Sequence, residues 1–312
     1  MARNRFFTSL LLLAAAPAAA QVASTPDGRV YFTDTARGIV WRLEPGGGLE
    51  PALEGVRAHA LVTIADGAVY GADAGANPPA GRAWRIDADG RVHTLVDARE
   101  KRLGFVSFLI DTDGTIYSGS RDGTDLLRLR PEGAVDRVAS GFTAIDGIAW
   151  SPDSGIFLTD GPYLKYVAQD GRVETLGGGP LTEARGGLDL GGVTTNGSGG
   201  AFVADSAGGR LLNVGRQAGV AVEYASDSPW SPAGVARDAR GLVVLELPAA
   251  RWSILANLRV GPYLRVRRLG VDGRVITLAV LWGTHTWIAA AIVAGAAAAG
   301  VGWHIRRYRG GY

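Results

Sequence analysis

Residues 145–160 read IDGIAWSPDSGIFLTD: a short apolar run, a turn at Pro152 and Asp153, and a second run ending on the carboxylate of Asp160. The second run recurs along the chain. A glycine, two or three β-formers and then an acid or small polar residue begin at Gly28, Gly67, Gly114, Gly155, Gly200 and Gly241 (GRVYFTD, GAVYGAD, GTIYSGS, GIFLTD, GAFVAD, GLVVLE). The steps between these glycines are 39, 47, 41, 45 and 41 residues. Six copies at so regular a period mark a closed array of similar units.

Each unit carries three further runs. An apolar run precedes the glycine (QVAST, HALVTIAD, VSFLIDTD, GIAWSPDS, GGVTTNGSG, AGVARDAR), and a third and fourth follow it, such as YLKYV and RVETLG. Asp-Gly or Glu-Gly at Asp89, Glu132, Asp170 and Asp272 leads into the fourth run. Glycine accepts the positive φ of a tight turn, so these dipeptides read as hairpin connections. Four short strands in each of six units predict an all-β fold, a six-bladed β-propeller with four antiparallel strands per blade, over 21–278. A β-sandwich would not give six similar units, and a parallel β-helix would not give up-and-down hairpins. If QVAST is the first innermost strand, every blade is built from consecutive strands. The ring then closes by packing of blade one on blade six.

The two ends differ from the repeats. Residues 1–20 place Arg3 and Arg5 before an apolar stretch and end in Ala18, Ala19 and Ala20, the pattern of a secretory signal peptide. An uncleaved anchor helix is the alternative. Residues 287–303 carry no charge and, as a helix, would rise about 26 Å, just under a bilayer core. Trp282, Trp287 and Trp303 stand where interfacial aromatics belong, and Arg306, Arg307 and Arg309 follow in 304–312. This predicts a linker over 279–286, a transmembrane helix over 287–303 and a basic cytoplasmic tail. The propeller is then extracytoplasmic, in the periplasm or at the cell surface. The alternative is an Ala/Gly-rich tail packed on the domain. Ala291, Gly295 and Ala299 fall at four-residue spacing, which would let two such helices approach as a homodimer.

Charge narrows the function. The formal net charge is +2, and removing the five arginines of the two ends leaves −3 for 21–286. A nucleic-acid site has no electrostatic footprint here. The glycines are turn residues, and none forms a phosphate loop between a strand and a helix. The chain has no cysteine, which excludes disulfides and thiol chemistry. Its four histidines are scattered, and its serines lack a nucleophile-elbow context.

The G-x-[VI]-Y-x-x-D runs resemble NHL-type propeller repeats, and DGIAWSPDSGIFLTD is similar to the matching segment of the senescence-marker-protein/gluconolactonase family. The resemblance covers nearly all of 21–278. It implies a divalent cation such as Ca²⁺ at the central channel, held by residues where the innermost strands begin: a Glu in the first blade, Asn in middle blades, an Asp in a later one. Counting back from the repeat glycines puts Asp146 at the blade-four position. Gly191, Val106, His59 and Ala233 occupy blades five, three, two and six, and blade one falls near Ala20. Asp189 substitutes for Gly191 if that strand is entered in a shifted register. Ca²⁺ takes six to eight oxygens, so Asp146 as sole metal ligand could not hold it tightly.

Asp34, Asp73, Asp160 and Asp205 recur at one strand end and read as structural hydrogen-bond acceptors. Asp146 does not recur, and with His59 and Asp189 it makes up the ligand-binding set at the channel mouth. Residues 247–263 are an unusually long connection on that face, with Trp252, Leu255 and Leu258 spaced for a short amphipathic helix, which could turn the channel mouth toward the bilayer. Three functions stay open. The first is a membrane-anchored propeller that binds a protein or small ligand. The second is a metal-dependent lactone or ester hydrolase, with the metal on Asp146 and protons handled by His59 or Asp189. The third is a structural role in an envelope complex. Three or more convergent donors at the channel mouth would favour the enzyme.

Overall fold

The computed structural model describes residues 21–56, 58–63, 67–73, 82–97, 103–182, 190–216, 219–249 and 262–283. These form twenty-four strands, β1–β24 in chain order, arranged as six antiparallel sheets of four consecutive strands each. The six-bladed propeller read from the repeats is the fold. Gly90, Gly133, Gly171 and Gly273, in the turns into the fourth strands, have φ of 85°, 91°, 84° and 78°. A side chain with a Cβ rarely adopts that region, so the repeated Gly is what lets the last hairpin of these four blades close.

The first strand of each blade is the innermost: β1 (Val22–Ser24), β5 (Ala58–Thr63), β9 (Leu103–Ile110), β13 (Ile145–Trp150), β17 (Leu190–Thr195) and β21 (Trp230–Asp238). Each packs on the next, and β21 packs on β1. Second strands such as β2 (Val30–Asp34), β14 (Ile156–Asp160) and β18 (Ala201–Asp205) are buried throughout, which is why the repeat is richest in apolar residues there. Fourth strands are largely exposed and carry the weaker repeat signal.

No blade is shared between the chain ends, so the ring closes by packing, as the sequence implies. Val22, Phe32 and Leu43 of blade one share a core with Val243, Leu245 and Val266 of blade six. A polar clasp reinforces it. The Tyr263 hydroxyl donates to Asp34 Oδ2 at 2.5 Å, and Asp34 is only 2% exposed. The Arg37 guanidinium lies 5.0 Å from the Tyr263 ring centre and donates to the Trp282 carbonyl at 2.7 Å. On the opposite face Ser24 donates to Asp238 at 2.7 Å, and Arg268 pairs with the same carboxylate at 2.9 Å.

The ends of blade six depart from the sequence reading. β24 (Val275–Trp282) continues past residue 278 into the stretch read as a linker. β22 (Gly241–Pro248) and β23 (Pro262–Gly270) take Leu247, Pro248, Pro262 and Tyr263, so the long connection is shorter than 247–263. The helix expected within it falls on 250–261, outside the described residues. So do the signal peptide over 1–20, the helix over 287–303 and the tail over 304–312. Among the described residues no helix is long and apolar enough to cross a membrane.

Two outcomes follow for the seam and blade six. Asp34→Ala removes the buried acceptor of the Tyr263 hydroxyl and should lower the unfolding free energy by about 2–3 kcal/mol in urea titrations, and Tyr263→Phe by roughly 1–2 kcal/mol. Asp227 is held near a pKa of about 2, chiefly by hydrogen bonds from Arg265 at 2.7 and 3.2 Å. A depressed carboxyl stabilises the fold above its unfolded value of 3.8 and loses that contribution as pH falls toward about 2. Asp227→Asn should therefore flatten the acid limb of the stability curve between those two values.

Candidate functional site

The innermost strands do not run straight. The β13–β14 register slips between Ile145 and Gly147, leaving Asp146 as the extra residue. β5 slips between Ala58 and Ala60, leaving His59, and β21 between Pro232 and Gly234, leaving Ala233. β17 slips between Leu190 and Val193, across Gly191 and Gly192. β9 slips between the partners of Ser118 and Ser120, across 104–107, where Phe105 takes a φ of 52° beside Val106. A bulge bends a strand and re-aims the extra side chain. Five of the positions obtained by counting back from the repeat glycines thus share one structural feature, a bulge at the entry of the innermost strand. In blade one that entry lies next to Gln21. Its N–H donates to Thr33 Oγ1, and its carbonyl accepts from the Thr33 N–H, both at 3.0 Å.

Glycines at the bulges let neighbouring backbones touch. A Cβ on Gly147 would lie 2.6 Å from the Gly191 carbonyl oxygen, which also accepts from Thr159 Oγ1 at 3.2 Å. A Cβ on Gly191 would overlap the Ala233 carbonyl oxygen. One on Gly192 would sit 3.0 Å from Gly234 Cα and 3.2 Å from Gln21 Oε1. The innermost strands of blades four, five and six therefore meet backbone to backbone.

Asp34, Asp160 and Asp205 among the repeated acids are structural acceptors, as their recurrence implies. Asp160 Oδ1 accepts from the backbone N–H of Thr143 and Ala144 at 2.6 and 2.9 Å, pinning the loop that enters β13. Asp205 accepts from the Gly208 N–H and from Arg210 Nε, both at 2.7 Å. Asp34 belongs to the seam. Glu246 replaces the acid in blade six and accepts from Arg265 Nε, Ser226 and Tyr224 at 2.5, 2.5 and 3.0 Å.

Of the three residues read from the sequence as site residues, Asp146 is half-buried at the blade-four bulge. His59 is at the blade-two bulge by its backbone, and its side chain is outside the described residues. Asp189 lies outside them altogether. Among the described residues the donor set does not fit the cation that the resemblance implies: Val106 and Ala233 have hydrocarbon side chains, and Gly191 has neither a side chain nor room for one. Among the described residues no three His, Asp or Glu groups come together to hold a metal ion.

The sequence reading missed a groove of about 890 Å³ on the opposite face, between blades four and five. Its polar groups engage one another. Arg216 stacks 3.9 Å from the Tyr166 ring centre and pairs with Asp153 at 2.8 Å and Glu174 at 3.3 Å. Asn196 donates to Asn213, and Asn213 to Glu223. Such a groove offers a ligand few open hydrogen bonds. Its lining comes from Glu174, from the turn at 196–199 and from the strands around Asn213 and Ala221, so no local motif announces it. The bulges did leave a signal, glycine inside a strand run at Gly147, Gly191 and Gly192.

A family model described as the SMP-30/gluconolactonase/LRE-like region matches residues 18–242. The chain belongs to this family. The match takes in the first twenty-one strands and ends at Leu242, early in β22. No curated protein sequence matches the chain. Among solved structures, a gluconolactonase of Xanthomonas campestris is 16% identical, with 75% of this chain and 84% of that one covered and a TM-score of 0.58. Virginiamycin B lyase of Staphylococcus aureus is 12% identical, with 82% of each chain covered and a TM-score of 0.55. A streptogramin B lyase is 14% identical over 85% of this chain and 84% of that one, also at 0.55. Identities this low carry the fold alone.

The bulge geometry has a direct test. Gly191→Ala pushes a methyl group into the Ala233 carbonyl and should cost about 3 kcal/mol or more in urea unfolding. Gly141→Ala, where a Cβ meets open space but φ is 89°, separates strain from collision and should cost less.

Proposed function

We propose that this gluconolactonase-like propeller serves as a membrane-anchored, extracytoplasmic binding module. The observation that carries this reading is the composition of the bulge ring. Val106, Gly191 and Ala233 stand at three of its positions, and Asp146 is the one ionisable side chain described there. A ring with one carboxylate among hydrocarbon and glycine positions suits a hydrogen-bond donor or cationic group of a protein or small molecule better than a metal ion.

The signal-like 1–20 and the uncharged 287–303 with its basic flank support export and anchoring by a C-terminal span. The four-residue spacing of Ala291, Gly295 and Ala299 supports pairing of two such spans. The second reading, a lactone or ester hydrolase of the gluconolactonase-like type, is favoured by family membership. It needs convergent oxygen or imidazole donors that Val106, Gly191 and Ala233 do not supply.

Thermal unfolding of the detergent-purified full chain separates the two. A ligand at 100 times its dissociation constant adds about 2.7 kcal/mol of stability, a readable shift in Tm. The binding-module reading predicts no shift with Ca²⁺, Mg²⁺, Mn²⁺ or Zn²⁺ and no turnover of a lactone panel. A metal-induced shift in the wild type that Asp146→Ala abolishes, together with lactone hydrolysis, would instead establish the hydrolase.

A further inference from the structure

Outermost strands generally guard their free edge with charge. In blades one to five the fourth strands carry Glu50 and Glu54, Asp97, Asp136 and Arg137, Glu174, and Glu223. β24 reads VITLAVLW and carries none. Exposed valines at the starts of these strands (Val92, Val135, Val173, Val275) recur from blade to blade and so belong to the repeat. Trp282 does not recur. It ends β24 with 57% of its surface exposed, where other fourth strands end in Glu54, Asp97, Ser140, Leu176 or Ala225.

Strand direction fixes the face on which Trp282 lies. It pairs with Pro262 at the start of β23, and Pro248 at the end of β22 pairs with Trp230 at the start of β21. Trp282 therefore sits at the end of the blades where innermost strands begin, the face of the bulges. Its backbone is clamped to blade one through Arg37. From Trp282 to Trp287 the chain has five steps, at most about 18 Å. β24 itself has eight residues, or about 26 Å at the usual rise per residue. A segment starting at Trp287 cannot run back along the strand and bring the opposite face to a bilayer.

We infer that the rim at the seam of blades one and six, marked by Trp282, rests on a phospholipid surface and turns the bulge ring toward the headgroups. This rests on the anchoring proposed above for 287–303. Trp282 is the interfacial contact: an amphipathic ring at headgroup level, beside a cationic Arg37. The groove between blades four and five then faces away from the membrane.

The chain has no cysteine, so single labels can be placed cleanly. Ala36→Cys and Arg121→Cys lie in exposed turns on the bulge face, at the seam and in blade three, and Ala88→Cys lies in an exposed turn on the other face. Each full-length variant is labelled with a fluorophore and reconstituted into phosphatidylcholine vesicles carrying a headgroup quencher. The expected result is several-fold stronger quenching at residues 36 and 121 than at 88, and weaker quenching at 36 when Trp282→Ala is added, with flotation unchanged. Equal or stronger quenching at 88, or quenching at 36 but not at 121, overturns the orientation while leaving anchoring intact. Loss of co-flotation overturns the anchoring itself, and the docking with it.

Discussion

The constraint on which the ring's centre depends is the backbone-to-backbone approach of the innermost strands in blades four, five and six. Six sheets packed face to face around an axis bring their first strands together, and the available space is set by what projects from them. At Gly147, Gly191 and Gly192 nothing projects. The Gly191 carbonyl lies close against Gly147 and accepts the Thr159 hydroxyl, and Gly191 in turn lies against the Ala233 carbonyl. The bulges that accommodate this approach are the places where a propeller of this family is expected to present its ligands. Packing and site chemistry therefore compete for the same few residues, and in blade five packing occupies the position.

Closure of the ring depends on a second, weaker arrangement. Blades one and six share no strand, so hydrophobic contact must carry the junction. It is supplemented by buried polar groups whose partners come from both ends of the chain, Asp34 with Tyr263 and Ser24 with Asp238. A buried carboxylate without such partners would be costly, and with them it fixes the two blades in one register. Asp34 thus takes part in the repeat as a strand-end acid and in the closure as an acceptor.

The architecture was legible because repetition averages out local ambiguity. One Gly–β–β–acid run is weak evidence of a strand, and six at similar spacing leave few alternatives. The turns were legible for a chemical reason, since Gly90, Gly133, Gly171 and Gly273 are placed where φ must be positive. The ends of blade six were less so. Leu247, Pro248, Pro262 and Tyr263 read as part of a loop because prolines discourage strand assignment, yet they lie at strand ends, where a missing N–H costs little. Counting from the repeat glycines led to the entries of the innermost strands, where the structure has bulges at His59, Asp146, Gly191 and Ala233. The count could not show that residue 191 is sterically closed, because that depends on Ala233, forty-two positions away in sequence and adjacent only around the ring.

The central claim is that close backbone packing, not metal coordination, shapes the bulge ring, and elemental analysis tests it most directly. The full chain is purified in buffer containing Ca²⁺, desalted, and assayed for bound divalent metal beside Asp146→Ala. The account predicts no stoichiometric metal in either protein. One metal ion per chain in the wild type, lost in the variant, would contradict it.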